Sequence, residues 1–309
     1  MGGIVTARLL DGKRVAQEIQ GEVKDAAKPL IEKGITPGLA AVLVGVNAAS
    51  KLYVNSKTKA CQEAGLFSEA VLLPTETTRE ELAKKLDELN GRDDIDGILL
   101  QLPLPDHLDS TEFLDRIHPS KDVDGFHPES VGKLVQKRPG PRPCTPAGVM
   151  ELLRRENIEI SGKRAVIVGR SDIVGKPMAM LLTHANATVT VCHSRTKDLP
   201  SVTREGEILV AAMGRAAIIR KEFIGPGAVV IDVGMNRAET AEQVKDFFGD
   251  DEKRMATFER RGSTLVGDVH PKDAMEIASA ITPVPGGVGP LTIAMLLKNT
   301  LELCEARRG

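Results

Sequence analysis

Short apolar runs alternate with longer stretches of helical spacing through most of the chain, which predicts parallel βαβ construction and an α/β fold class. Residues 39–44 read as a buried strand, followed by a helix that carries Tyr53 and ends near Gly65. A strand around 70–73, a helix over 78–90 and a strand over 98–102 continue the rhythm, and Pro103 and Pro105 stop that last strand just past Gln101. Ligands of open α/β sheets gather at such carboxyl ends. The Pro-rich stretch 139–146 breaks the pattern and marks a domain boundary, with Thr145-Pro146 suited to open the next helix. Beyond it, strands are expected at 165–168, 188–192, 208–212 and 229–233, with a helix at 178–183 and a terminal helix at 291–303. The charged stretch 237–261 interrupts this order and reads as an exposed insertion.

A chain of 309 residues accommodates two domains, each able to bury its own core. With 41 basic and 43 acidic residues the net charge is −2, so no general electrostatic case exists for nucleic acid or an anionic membrane as partner. A small-molecule ligand is the expectation. Cys61, Cys144, Cys192 and Cys304 form no Cys-x-x-Cys pair and the histidines show no zinc-type spacing, so no metal is expected and a reducing cytoplasmic setting fits. No apolar run approaches the roughly 20 residues of a membrane span.

Two segments carry candidate chemistry. In a helix, Ser50, the sole tyrosine Tyr53, and Lys57 fall within about 60° of one another, which places a hydroxyl, a flat ring and an ammonium on one face. An amphipathic helix with a packed Tyr and a solvated Lys has the same spacing. The second segment, 165–177, is a strand running into Gly169-Arg170-Ser171 and on to Gly175-Lys176-Pro177. Such a strand-to-helix turn offers free N–H groups and the positive end of a helix dipole to a pyrophosphate. It departs from Gly-x-Gly-x-x-Gly, since Ser171 replaces the second glycine and Gly175 comes one residue late. After the next strand comes His193-Ser194-Arg195-Thr196, with no carboxylate for ribose hydroxyls. Arg170, Ser194 and Arg195 suit a 2′-phosphate instead, which favours NADP over NAD.

These residues resemble the bifunctional methylenetetrahydrofolate dehydrogenase/methenyltetrahydrofolate cyclohydrolase family of one-carbon metabolism. The resemblance rests on Tyr53-Val54-x-x-Lys57-x-Lys59, Gln101-Leu102-Pro103-Leu104-Pro105, Lys121-Asp122-Val123-Asp124-Gly125-Phe126, Pro143-Cys144-Thr145-Pro146, the Gly169 to Pro177 turn, and Pro285-Gly286-Gly287-Val288-Gly289-Pro290. It implies a homodimer in which folate lies between a catalytic domain, residues 1–147 with 286–309 returning to it, and a Rossmann-type NADP domain, residues 148–285. It further implies a catalytic set of Lys57, Tyr53 and Gln101. Tyr53 would stack on the folate, Gln101 would bond near Lys57, and Asp124 would anchor the pterin, whose edge presents paired N–H donors. Ser50, Leu100, Leu102, Pro283, Gly286 and Gly287 complete the implied folate site, and Gly169, Arg170, Ser171, Ser194, Arg195 and Met235 the NADP site.

The implied reactions are oxidation of 5,10-methylenetetrahydrofolate and hydrolysis of the methenyl cation to 10-formyltetrahydrofolate, the second needing proton transfers for which Lys57 is the candidate. An isolated lysine, with a pKa near ~10.4, is a poor base at neutral pH, but a cationic substrate in a partly dry cleft disfavours a second positive charge. Some positions depart from the family's pattern: Asn47-Ala48-Ala49-Ser50 lacks a proline, Met235 replaces an aliphatic Ile, and His270 stands where an acid is familiar. A short-chain dehydrogenase also pairs Tyr-x-x-x-Lys with a nucleotide turn, but there the turn precedes the tyrosine. A binding module without turnover and a dehydrogenase lacking the hydrolase step remain alternatives.

Overall fold

The computed structural model describes residues 6–46 and 48–309; the side chains at 48–50, 52 and 53 lie outside the description. The chain begins with β1 (Arg8–Leu9) and α1 (Gly12–Glu32), then alternates β2 (Gly38–Val44), α2 (Ala48–Glu63), β3 (Phe67–Leu73), α3 (Arg79–Gly91) and β4 (Gly97–Leu100), followed by α4 (Ser110–Arg116) and α5 (Pro128–Val135). The sheet order is β3-β2-β4, all parallel, with Val42 opposite both Val71 and Leu100. As the central strand β2 is buried along its whole length, which is why it reads as a continuous apolar run rather than an alternating one. Thr78 and Glu81 form a capping box at the start of α3. Leu82, Leu86 and Leu89 then recur on one face and pack with Val42, Val44, Ile98 and Leu100; each such leucine contributes about 1.5–3 kcal/mol through burial.

The second half starts with α6 (Cys144–Arg155), β5 (Arg164–Val168), α7 (Gly175–His184), β6 (Thr188–Cys192), α8 (Leu199–Arg204), β7 (Ile208–Ala211) and β8 (Val229–Asp232). After β9 (Asn236–Ala238), α9 (Ala241–Phe248), α10 (Glu252–Arg261), β10 (Thr264–Val266) and α11 (Pro271–Ile277), the sheet resumes at β11 (Ala280–Ile281) and the chain finishes in α12 (Val288–Arg308). Six strands in the order β1-β11-β8-β7-β5-β6 form one parallel sheet. Its order reverses at β5, since the chain moves outward to β6 and then crosses to β7, and crevices for ligands form at such switch points.

The chain divides into two compact units, one containing Ala16–Cys144 with Thr292–Gly309, the other Thr145–Leu291 with the described residues up to Val15. The expected first domain began at residue 1. Its opening segment instead joins the six-stranded sheet, because Arg8 N–H donates to Ser279 O at 2.9 Å and Leu10 N–H to Ile281 O at 2.8 Å. Stretch 237–261 also differs from the exposed insertion expected. A Thr240–Gln243 capping box starts α9, β9 pairs antiparallel with β10, and Val244, Phe247, Ala238 and Val266 form a small core of their own.

Candidate active site

Lys57 lies in the third turn of α2, in the segment that follows the carboxyl end of β2. Only 9 % of the residue is exposed, so its ammonium needs a partner, and Nζ donates to Gln101 Oε1 at 3.0 Å. Gln101 continues the line of β4: its N–H bonds Val42 O at 2.8 Å. Its amide nitrogen donates to Leu102 O at 2.8 Å, which turns Oε1 toward the lysine. Leu100 is buried in β4 and Leu102 is half-buried just beyond, before a cis Leu102–Pro103 peptide. Ser50 and Tyr53 belong to the same helix as Lys57, but their side chains lie outside the described residues.

Asp124 completes this group. Burial pushes its carboxyl up to about 6; the positive charge of Lys57 acts in the opposite direction, and Asp122 adds to the rise. Neighbouring Asp122 has a different task, accepting from Phe126 N–H at 3.1 Å and His127 N–H at 2.9 Å and so folding the turn. Two residues not anticipated from sequence hold this loop. Asn299 of α12 donates from Nδ2 to Val123 O at 2.8 Å and Arg142 O at 2.9 Å. The buried Cys144 thiol reaches Val123 O at 3.6 Å, and burial followed by the charge of Asp124 raises its pKa well above the ordinary value. A thiol so shifted is inert. An amide in an apolar helix far along the chain gives no sequence signal, whereas Cys144 stands within a motif already singled out.

Gly169, Arg170 and Ser171 form the turn from β5 into α7. Gly169 has φ +133°, and a Cβ there would strike the Ala212 carbonyl; a Cβ on Gly175 would strike Gly169 O. The turn therefore leaves no room for side chains between strand and helix, while Ser171 Oγ accepts from Val174 N–H at 3.2 Å. Arg170 and Ser171 are exposed, as are Ser194 and Arg195 after the adjacent strand β6. Arg195 N–H bonds His193 Nδ1 at 3.1 Å, closing that loop. Met235, half exposed, follows β8 at the same sheet edge. Pro283, Gly286 and Gly287 follow β11, also at this edge, in a loop where Gly287 N–H donates to Pro283 O at 2.8 Å.

Beneath these loops sits a buried carboxylate pair absent from the sequence reading. Asp232 accepts from the N–H groups of Gly234 (2.9 Å), Asp268 (2.8 Å) and Val269 (3.0 Å), and burial raises its pKa to about 7 against those bonds. Asp268 accepts from Met213, Gly214 and Arg215 N–H and from Asn236 Nδ2. The pair thus ties together the loops after β7, β8 and β10. An Asp at the end of an apolar strand, two residues before a glycine in Asp232-Val233-Gly234, was the available signal.

The tetrahydrofolate dehydrogenase/cyclohydrolase catalytic domain matches residues 10–124, and the NAD(P)-binding domain of the same enzymes matches residues 143–308. The chain is similar to the bifunctional protein FolD of Koribacter versatilis, 56 % identical with 98 % of each chain covered. Among solved structures it is similar to the bifunctional methylenetetrahydrofolate dehydrogenase/cyclohydrolase of Campylobacter jejuni (44 % identity, TM-score 0.88, 97 % of this chain and 99 % of that one). It also resembles the Trypanosoma brucei enzyme complexed with NADP cofactor and inhibitor (40 % identity, TM-score 0.88, 98 % and 99 %).

Proposed function

The chain belongs to the tetrahydrofolate dehydrogenase/cyclohydrolase family, and from that premise we propose that Lys57, held by Gln101, is the group through which it moves protons. The enzyme is bifunctional: it oxidises 5,10-methylenetetrahydrofolate with NADP and hydrolyses the methenyl product to 10-formyltetrahydrofolate. NADP, when bound, accepts the hydride leaving the methylene carbon. The turn at Gly169 and Gly175 fits its phosphates, having close backbone approach and no obstructing Cβ. Arg170, Ser171, Ser194 and Arg195 supply donors for the pyrophosphate and 2′-phosphate, and Met235 lines the cofactor.

On the folate side, Asp124 accepts the paired N–H donors of the pterin, with Tyr53 stacking on the ring and Ser50, Leu100, Leu102, Pro283, Gly286 and Gly287 lining it. Orientation is what these residues contribute to hydride transfer. In the hydrolysis, water adds to the methenyl carbon and gives up a proton to the Lys57 amine. The adduct's hydroxyl then loses its proton as the formyl C=O forms and the bond from that carbon to N5 breaks, N5 taking up the proton held by Lys57, so one proton is released overall. Gln101 orients that amine without adding charge. The carrying observation is the 3.0 Å bond between buried Lys57 and Gln101.

The test is a spectroscopic assay with 5,10-methylenetetrahydrofolate and either NADP or NAD, followed by the methenyl compound alone, for the wild-type chain and Lys57→Gln. The wild type turns over in both assays and prefers NADP. Lys57→Gln loses hydrolysis by roughly 100-fold or more, the scale of general acid–base catalysis, and still binds NADP. Hydrolysis retained by that variant removes Lys57 from the mechanism, and equal use of NAD removes the 2′-phosphate role of Arg170, Ser194 and Arg195.

The working form we propose is a cytoplasmic homodimer. Among the described residues no helix is long and apolar enough to cross a membrane, and all four cysteines are free and buried. Support for the dimer comes from β3, an edge strand whose Phe67 and Leu72 are 40 % and 55 % exposed. Sedimentation equilibrium at micromolar concentration gives twice the chain mass if this holds, and the chain mass of 33.2 kDa if it does not.

A further inference from the structure

Thr282 anchors the start of the loop 282–287, its Oγ1 accepting from Asp232 N–H at 2.7 Å; past it the loop is two Pro, Val and two Gly, whose side chains offer no polar group. There the backbone carbonyls are held. Pro283 O accepts from Gly287 N–H at 2.8 Å and Gly286 O from Lys13 N–H at 3.0 Å. Between them, Val284 O accepts from Arg254 Nη2. Arg254 comes from α10, within the stretch that interrupts the Rossmann order.

Two contacts aim this guanidinium: its Nη1 donates to Leu265 O of β10 at 2.9 Å, and its carbon lies 4.4 Å from the ring centroid of Phe248 in α9. The backbone N–H of Arg254 is held separately, by the N-cap Asp251 Oδ1 at 3.1 Å, which fixes where the side chain leaves α10. A planar fork held flat on a ring and pinned through one nitrogen presents the other in a fixed direction. The half-buried site strengthens both bonds. Phe248 packs against the small core of Val244, Phe247 and Val266, and Leu265 precedes Val266 in β10, so the stretch is a bracket whose reach ends on the Val284 carbonyl.

We propose that Arg254 is a positioning residue for folate: through the Val284 carbonyl, stretch 237–261 fixes the Pro283–Gly287 loop in its substrate-binding shape. This rests on the reading that the loop contacts folate. Consequently the stretch acts on folate affinity and leaves NADP affinity alone.

The test compares KM for 5,10-methylenetetrahydrofolate, KM for NADP and kcat in Arg254→Met, Arg254→Lys and Gly287→Ala. Arg254→Met keeps the stem over Phe248 and loses both donors. It raises the folate KM roughly ten-fold, the size of one charge-assisted hydrogen bond, with NADP KM within about twofold. Arg254→Lys, which can still reach one carbonyl, recovers part of the loss. Loss of folded protein alone would lower kcat and leave both KM values unchanged, and that result overturns the proposal; so does an equal rise in the two KM values. Gly287→Ala puts a Cβ against Pro283 O and separates the two claims. If it raises folate KM while Arg254→Met does not, the loop contacts folate and Arg254 does not position it. If it leaves folate KM unchanged, the reading of the loop fails and the proposal with it.

Discussion

Asp124 shows how a single environment would tune the pterin-binding role proposed for it. Its folded pKa of about 6 lies above the ordinary carboxylate value, so the protonated form gains on folding. The stability this gives is fully present below about pH 4 and is lost as pH rises through about 6. Binding has the opposite sign, because only the carboxylate accepts two pterin N–H donors. Folate KM is therefore expected to be flat above about pH 7 and to rise toward about ten-fold per pH unit below 6. Because the charge of Lys57 holds this pKa down, Lys57→Gln should move the bend to higher pH in the dehydrogenase assay, and Asp124→Asn should abolish it. A folate KM that does not change between about pH 5 and 7 would remove Asp124 from pterin recognition. At this scale the sequence was informative where chemistry is local. Lys57, Gln101 and Asp124 each stand in a short motif, whereas Asn299, Asp232 and Asp268 matter through backbone groups that only the folded chain brings to them.

Elements differ in legibility for a related reason. The buried strands β2 and β5 and the helix α3 stand out because apolar runs, or a capping box with three leucines at helical spacing, are written in contiguous residues. The helix α1 has a comparable stripe of Val15, Ile19, Val23, Ala27 and Leu30, but Pro29 lies inside its last turns and its start shows no acidic residue. Helices α9 and α10 are harder still. Charge dominates 237–261, and the apolar residues that matter, Val244 and Phe247, acquire meaning only against Ala238 and Val266 of the β9–β10 ribbon. The sheet edge at which the cofactor turn, Met235 and the 283–287 loop meet is likewise a product of strand order, which no local pattern encodes.

One contact that holds a unit together joins residues more than 200 positions apart along the chain. Asp96, fully buried at the start of β4, accepts from Gly38 N–H at 2.9 Å, from Arg307 Nη1 at 2.7 Å and from Arg308 Nε at 3.0 Å, while Arg308 Nη2 also bonds Thr36 O at 2.8 Å. The end of α12 is thereby fastened to the three-stranded sheet, the physical basis on which 292–309 belongs to the unit of 16–144. Asp96→Ala would leave two partly buried guanidinium groups and the Gly38 N–H without their acceptor, a loss of about 3–5 kcal/mol. The composition supplies a selective reporter, since the chain has one tyrosine and no tryptophan. That tyrosine, Tyr53, is in α2, within the unit that Asp96 fastens. Tyrosine fluorescence during urea unfolding therefore follows this unit, and its midpoint is expected to fall by roughly 1–2 M in Asp96→Ala, less in Asp96→Asn, which keeps one carbonyl acceptor. A midpoint unchanged in both variants would mean that the arginine clasp does not secure the terminal helix, and that apolar packing of Leu296, Leu297 and Leu301 suffices.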